Sequence, residues 1–462
     1  MRTTNYEQAV DTFCREHERE IVAAIKRLVD IPSVEGPAEP GKPYGPGPAN
    51  ALAEGLKLAR ELGLETQNCD NYIGWAELPG ETEKQIATIT HLDVVPEGTG
   101  WHSDPFDMIE KDGWIIGRGT TDDKGPSVLC LYALKFLKDY EVPLKYGVRA
   151  LLGANEETGM QDVDYYLEHY KAPDFCFSPD AEFPLTNGEK GGYGAVLVSK
   201  VLNGNIVDFH GGVAQNAVAN RATCLVRGDG SRLENRAGIT VEQEGELIRI
   251  EGYGKSGHAS TPEGTINAIG LIVDYLVDNG LCTPEEQAYL HYLQKLHHAT
   301  DGSEIGIAAR DDRFTPLTVI GGVIYMKDGR ICQQVDSRYP TTTTAEQITR
   351  QLEEAAQGCA TVENVRFAVP FYCDPDHPAI QTLLDAYNGV TGRDGKPFTI
   401  GGGTYARHFP LAVSFGPEDM TMEVPEFIGT IHGADEGASV AQLMEALKIY
   451  ILSLIRLQEV EL

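Results

Sequence analysis

The stretch "TITHLDVVP", Thr88 to Pro96, sets a histidine and an aspartate two positions apart at the end of an apolar run. Residues two apart on an extended segment point to the same side, so His91 and Asp93 can touch, and a carboxylate can orient an imidazole. A single His-x-Asp pair is also what a turn with a satisfied histidine looks like, so its meaning depends on what else converges on it. "GRGTTDDKGP" places Asp122 and Asp123 before a helix-like segment, "GANEETG" places Glu156 and Glu157 after a strand-like one, and "SPDAEFP" does the same for Asp180. Near the end, "GTIHGADE" supplies His432. Taken one at a time, these acids are helix caps or solvated turns. At successive strand ends of one sheet they would repel strongly once desolvated, unless a cation sat among them.

Carboxylates with two histidines and no thiolate favour a borderline divalent ion such as zinc, manganese or cobalt. Two ions sharing one carboxylate would lower the pKa of a shared water. A glutamate outside the ligand set would then take the proton, and the adjacent Glu156 and Glu157 could divide the two roles. Other motifs lead elsewhere. "GTTDDKG" lacks the Gly-Lys-Ser/Thr of a phosphate loop and carries acids where phosphate would sit. "HEREI" has Ile21 where a His-Glu-x-x-His zinc motif needs its second histidine. "GGGTYAR", with Gly402, Gly403 and Arg407, could cradle an anion through backbone amides or could simply be a loop. His17, His169, His291, His297 and His298 lie in polar helical stretches and are expected at the surface.

The elements that must position these groups alternate between about residues 50 and 185. "ALAEGLKLARELG", "GPSVLCLYALKFLKDY" and "DVDYYLEHY" read as helices, while "KQIATITHLD", "YGVRALLGANEE" and "DFCFSPDAE" read as strands. Short apolar strands between helices imply an α/β domain with a mainly parallel sheet and helices on both faces. Ligands of such sheets bind beyond the carboxyl ends of the strands, where His91 and the acids fall. After "PLTNGEKGGYG" the texture turns to alternating strands and Gly-rich turns, including "GAVLVSKVLNG" and "ATCLVRGDG". This predicts an inserted α+β domain over 188–374, with room for two subdomains, and a discontinuous α/β domain over 1–187 and 375–462.

With 38 Lys and Arg against 69 Asp and Glu, the net charge of −31 repels phosphate backbones and anionic lipid, which argues against nucleic acid and membrane partners. Nine cysteines without a Cys-x-x-Cys pair read as core residues in a reducing compartment. The amphipathic first thirty residues lack a basic start followed by an apolar segment, and no apolar run approaches the roughly 18 residues of a membrane span. A cytoplasmic protein is expected.

His91-Leu92-Asp93, "GRGTTDDKG", "NEETG", "SPDAEFP", "KSGHASTPEG" and "TIHGADE", in this order, resemble the di-metal peptidases that include aminoacylase, carboxypeptidase G, succinyl-diaminopimelate desuccinylase and dipeptidase V. "SPDAEFP", "WHSDPF" and "GGGTYAR" look closest to the dipeptidase V branch. The resemblance implies two divalent ions, zinc before manganese or cobalt. His91 and Asp180 would hold one ion, Glu157 and His432 the other, and Asp122 would bridge them, followed by a cis peptide. It further implies Glu156 as general base, Asp93 as the group orienting His91, and His258 as a donor to the tetrahedral oxyanion. Asn216 and Arg338 would grip the substrate, Arg338 through its terminal carboxylate. The relatives' Asn-x-Val-Pro reads Asn216-Ala217-Val218-Ala219 here, so the loop bearing Asn216 is expected to be set differently. The implied activity is hydrolysis of short peptides with a free amino terminus by a monomer with an enlarged lid. The alternatives are an N-acyl amino acid hydrolase or carboxypeptidase of the same family, or a non-catalytic peptide-binding protein.

Overall fold

The computed structural model describes residues 6–200 and 204–462. The chain forms two compact units, one comprising the chain up to Asn187 with Tyr372–Phe398 and Gly403–Leu462, the other comprising Gly188–Phe371 with Thr399–Gly402.

At the centre of the first unit, strand Gln85–His91 lies between Gly147–Gly153 and Phe175–Ser178, parallel to both, and Ala412–Ser414 extends the parallel run beside Phe175–Ser178. Ile73–Leu78 and Glu65–Cys69 add an antiparallel edge next to Gly147–Gly153. Every residue from Ile86 to His91 is buried, as are all four of Phe175–Ser178. A strand buried on both faces must be covered on both, which is why these segments read as continuous apolar runs and not as alternating ones. Helix Lys124–Asp139 packs on the central strands and on helices Glu7–Val29 and Val440–Leu457, and Pro378–Thr391 packs on Val440–Leu457. Helix Pro46–Glu61 covers the antiparallel edge. Thirteen of the sixteen residues of Lys124–Asp139 are buried. Each fully buried aliphatic side chain among them stabilises the fold by about 1.5–3 kcal/mol. The expected α/β architecture is found, with a sheet that is parallel at its centre and antiparallel on both sides, where Thr186–Glu189 pairs with Ala412–Ser414, and with covering helices.

The second unit holds an antiparallel sheet in the order Ile239–Glu244, Leu247–Tyr253, Arg221–Arg227, Ile206–Gly211, Thr318–Lys327, Arg330–Tyr339, Gly191–Ser199, Ala360–Ala368. The strand expected through "GAVLVSKVLNG" is described only as far as Ser199 and Lys200, and its continuation at Val201, Leu202 and Asn203 lies outside the described residues. Arg221–Arg227 and Leu247–Tyr253 alternate buried and open positions, so one face is covered and the other is not. The cover comes from helices Ala268–Asp278 and Pro284–His298, whose Ile269, Ile272, Tyr289 and Leu293 join Cys224, Ile248 and Ile250 in one apolar core. Pro284–His298 starts at a capping box, in which Thr283 and Glu286 satisfy each other's backbone N–H groups.

One histidine departs from the surface position expected for it. The ring of His297 turns inward, so that a Cβ on Gly270 would lie 2.9 Å from its Cβ and one on Gly321 2.6 Å from its Cε1, and Nε2 is 3.2 Å from Gln333 Oε1. The helical pattern set its spacing but not the small-residue gap that receives it. Burial of this ring lowers its pKa from 6.5 to about 4. Above the ordinary value both folded and unfolded chains hold it neutral, and as pH falls toward 4 only the unfolded chain gains the proton, so stability is lost in that window. The shift corresponds to about 3 kcal/mol. Urea unfolding of the wild type and of His297→Gln at pH 7 and pH 4 should find the acid-side loss smaller by about that amount in the variant.

Candidate metal centre and its scaffold

The carboxyl ends of the parallel strands deliver the polar groups. His91 ends its strand fully buried, its backbone N–H donated to Asp123 Oδ2 at 3.1 Å and its carbonyl accepting from Ser127 Oγ at 3.2 Å, so the start of helix Lys124–Asp139 fixes it. A Cβ at Gly125 would lie 2.2 Å from the Thr120 carbonyl oxygen. Only glycine allows the loop carrying Asp122 to fold so closely over the helix start. The peptide between Asp122 and Asp123 is cis.

Asp122 stands between the two histidines, with Oδ1 2.8 Å from His91 Nε2 and Oδ2 2.9 Å from His432 Nε2. Glu157 Oε2 is 3.2 Å from His432 Nε2, and Asp180 Oδ2 is 3.8 Å from His91 Nε2. Ligand atoms of His91, Asp122 and Glu157 lie within 4.8 Å of one another, as do those of His91, Glu156 and Asp180. His432 adopts a positive φ of 61°, a left-handed conformation uncommon for a residue with a side chain, and so belongs to a locally constrained loop.

The chemistry of this donor set fits divalent cations. His91 Nε2 and Glu157 Oε1 are buried without a hydrogen bond, the short His91–Asp122 approach lacking the alignment of one. Burial first, and then Asp180, pushes the Glu156 carboxyl well above its ordinary value. Burial and Asp122 push Asp180 up to about 7. Against its burial, His432 and His91 hold Asp122 below the ordinary carboxylate range. Contact with Asp122 and Glu157 raises His432 to about 10, a histidine acting as the cation these acids require.

The supporting shell differs from the expectation in one respect. His91 Nδ1 donates to the backbone oxygen of Asp93 at 3.0 Å, while the Asp93 carboxylate is 3.5 Å away. That carboxylate instead accepts the backbone N–H groups of Glu156 and Glu157, each at 3.2 Å. The extended segment brings the Asp93 carbonyl within reach of the ring, which frees the side chain to pin the glutamate loop. Asp162 holds the same loop from below, accepting from the backbone of Ala154 at 2.6 Å and Asn155 at 3.0 Å and from the Tyr405 hydroxyl.

Glu436 was not singled out in the sequence. It is 1% exposed, bonds Arg118 Nη1 at 2.6 Å through Oε2, and through Oε1 accepts the N–H groups of Gly119, Thr121 and Asp122 at 3.1, 3.1 and 3.2 Å. It thereby ties the Asp122 loop to the His432 loop, where Gly429 and Glu436 form a bridge. The only signal in the sequence is its place four residues after His432 within "GTIHGADE".

Asn216, His258, Arg338 and Gly402 belong to the second unit, where Asn216 and His258 lie on paired loops and Arg338 on strand Arg330–Tyr339. Ala217 bridges to His258, and the Asn216 carbonyl accepts from Ala259 N–H at 2.9 Å. The Ser260 N–H and hydroxyl lie 3.2 and 2.7 Å from His258 Nδ1, an arrangement in which Nδ1 accepts and the ring proton sits on Nε2. Arg338 gives Nε and Nη2 to Asp336 at 2.7 and 3.2 Å and Nη1 to the Gly401 carbonyl at 3.1 Å. The edge best suited to a two-pronged carboxylate contact is therefore occupied by Asp336. Gly403 and Arg407 lie in the first unit, where the Arg407 guanidinium packs so closely on Gly403 that a Cβ there would be 2.6 Å from Nη1. The "GGGTYAR" loop is thus where the chain passes from one unit to the other.

A family model described as Peptidase family M20/M25/M40 matches residues 87–456. The chain belongs to this family. As a peptidase of family M20/M25/M40 it hydrolyses peptide bonds, with divalent metal ions as its cofactors. The Beta-Ala-Xaa dipeptidase of Lactobacillus delbrueckii subsp. lactis is 32% identical over 451 residues, 93% of this chain and 94% of that protein. The solved structure of human carnosine dipeptidase 1 shares the fold with a TM-score of 0.58 at 16% identity, over 99% of this chain and 100% of that one. The Saccharomyces cerevisiae di-peptidase Dug1p matches with the same TM-score of 0.58 at 12% identity, over 99% of each chain. Among the described residues, no helix is long and apolar enough to cross a membrane.

Replacing Glu436 by alanine would leave Arg118 as a buried, uncompensated charge, so Glu436→Ala is expected to lose roughly 3–5 kcal/mol in urea unfolding and to bind metal more weakly than wild type.

Proposed function

We propose that the protein is a metal-dependent dipeptidase acting on short peptides with a free amino terminus. The observation that carries this is the Asp122 carboxylate, which divides its two oxygens between His91 and His432 at 2.8 and 2.9 Å while Glu157 and Asp180 converge from other strand ends. In this reading His91 and Asp180 hold one ion, Glu157 and His432 the other, and Asp122 both. The donor set suits zinc, with manganese or cobalt as alternatives. When bound, such ions acidify a water and polarise the scissile carbonyl.

The chain's own residues supply the rest. Glu156 shares the Asp93 clamp with Glu157 but makes no contact with His432, so it is left to accept the proton of the attacking water and pass it to the leaving amine. Its high proton affinity, caused by burial and by Asp180, suits that exchange. The Nε2 proton of His258 serves the oxyanion, Asn216 grips the substrate, and Arg338 serves its terminal carboxylate with the Nη groups that Asp336 does not saturate. Gly402, Gly403 and Arg407 line the anion-cradling loop in the same reading. The relatives named as dipeptidases support the substrate class. A monomer in the cytoplasm completes the proposal.

Chelation should abolish dipeptide hydrolysis, and zinc, manganese or cobalt should restore it. Glu156→Ala should retain the metal content of the wild type while kcat falls by about 10²–10⁴-fold. Loss of metal from that variant would make Glu156 a ligand instead, and an N-acetylated dipeptide cleaved faster than the free one would favour the N-acyl hydrolase.

A further inference from the structure

The second unit carries an open recess of about 360 Å3 that the peptidase reading does not use. Thr343, Gln347 and Arg350 line it around the start of helix Ala345–Ala356, at a spacing that sets them along one stripe. Ala308 and Ala309 line it from a loop. Its size lies at the lower end of small-molecule sites, which span about 300–1,000 Å3. In a chain with 69 Asp and Glu against 38 Lys and Arg, none of the residues lining this recess is acidic.

What these groups have left over is donors. The Gln347 side-chain oxygen accepts the Thr344 N–H at 3.2 Å in a capping box, so the NH2 end is the free one. The Ala309 carbonyl accepts the Leu317 N–H at 2.9 Å, while the N–H groups of Ala308 and Ala309 have no partner among the described residues. Thr343 is 8% exposed, yet its hydroxyl makes no hydrogen bond among them. Arg350 likewise has no hydrogen bond or ion pair there, although Glu346, Glu353 and Glu354 are its neighbours at helical spacing. Glu346 is drawn back onto the first turn of the helix, where its own backbone N–H and the Thr344 hydroxyl hold it below the ordinary carboxylate range. A nearly buried hydroxyl without a partner is costly, and beside an unpaired guanidinium it marks a place for an acceptor-rich anion.

We propose that this recess binds a small phosphate monoester, its phosphate gripped by Arg350 and its remaining oxygens taken by Thr343, Gln347 and the N–H groups of Ala308 and Ala309. Donors from both the helix and the loop suit the three terminal oxygens of a tetrahedral phosphate better than the two of a flat carboxylate. With about 30 Å3 as the share of one water, the recess also leaves room for the organic part of the ester. A bound ester would tie the loop to the helix. These segments are already joined at one point, where Asp311 accepts the N–H and the hydroxyl of Thr341 at 2.8 and 2.7 Å.

Binding is tested by NMR on the metal-loaded protein labelled at its alanine methyl groups, titrated with glycerol 3-phosphate, inorganic phosphate, acetate and glycerol. The methyl signals of Ala308 and Ala309 report the recess separately from any phosphate that reaches the metals. Glycerol 3-phosphate should shift both signals saturably and bind at least about tenfold more tightly than acetate or glycerol. Arg350→Gln, at an exposed position, should weaken that binding by about ten- to a hundredfold. Arg350→Lys should recover only part of the loss, because it keeps the charge without the fork. Thr343→Val, which keeps the shape and removes the hydroxyl, should weaken the ester by about three- to tenfold. Signals that do not move, or equal affinity in wild type and Arg350→Gln, would overturn the site. Acetate binding as tightly as the ester would overturn the phosphate assignment, and inorganic phosphate binding more tightly than the ester would overturn the monoester.

Discussion

Asp122, Glu156 and Asp180 are three carboxyl groups largely withdrawn from water and set close to one another at the ends of parallel strands. Desolvation and mutual repulsion both oppose their ionisation. Such a cluster stays ionised inside a folded chain only if positive charge is supplied. In the structure that charge falls to His91 and His432, which are held in their protonated range by the acids around them. Divalent ions would supply the same charge more compactly and would release the histidines to act as neutral donors.

The surrounding groups keep this arrangement from relaxing. Three carboxylates, Asp93, Asp162 and Glu436, are spent on backbone N–H groups of the loops that carry Glu156, Glu157 and Asp122. A carboxylate that accepts several backbone bonds fixes a loop without needing regular structure, and so places side chains to within a fraction of an ångström. Glu436 does this with a fully buried arginine behind it, a pair that matters less for net stability than for the cost of breaking it. Tyr405 extends the scaffold to the far side of the glutamate loop through Asp162.

The two units embody different solutions to covering a sheet. Strands covered on both faces lose the period-two pattern, and Gln85–His91 and Phe175–Ser178 are legible as strands by their short apolar runs and flanking helices. Strands covered on one face keep the pattern, as Arg221–Arg227 does, and the change in texture after Asn187 is visible in the sequence for that reason. His297 follows the buried Leu290 and Leu293 on one face of its helix, but it sits in a polar run at the helix end, and the space that receives its ring is made by Gly270 and Gly321 from other segments.

The sequence alone determined the type of chemistry, because residue identity fixes which groups can bind a cation or carry a proton, and local spacing fixes which strand end or loop presents them. His91 and Asp93 at the end of an apolar run, paired glutamates after another, and a histidine in a glycine-bearing loop are all properties of adjacent residues. Tertiary structure decided which atoms meet: that Asp93 turns its carbonyl to His91 and its carboxylate to the glutamates, and that Glu436 joins two loops more than three hundred residues apart in the chain. Those outcomes depend on strand order and on the packing of distant segments, and a contact between distant segments leaves no periodicity in the chain from which it could be read.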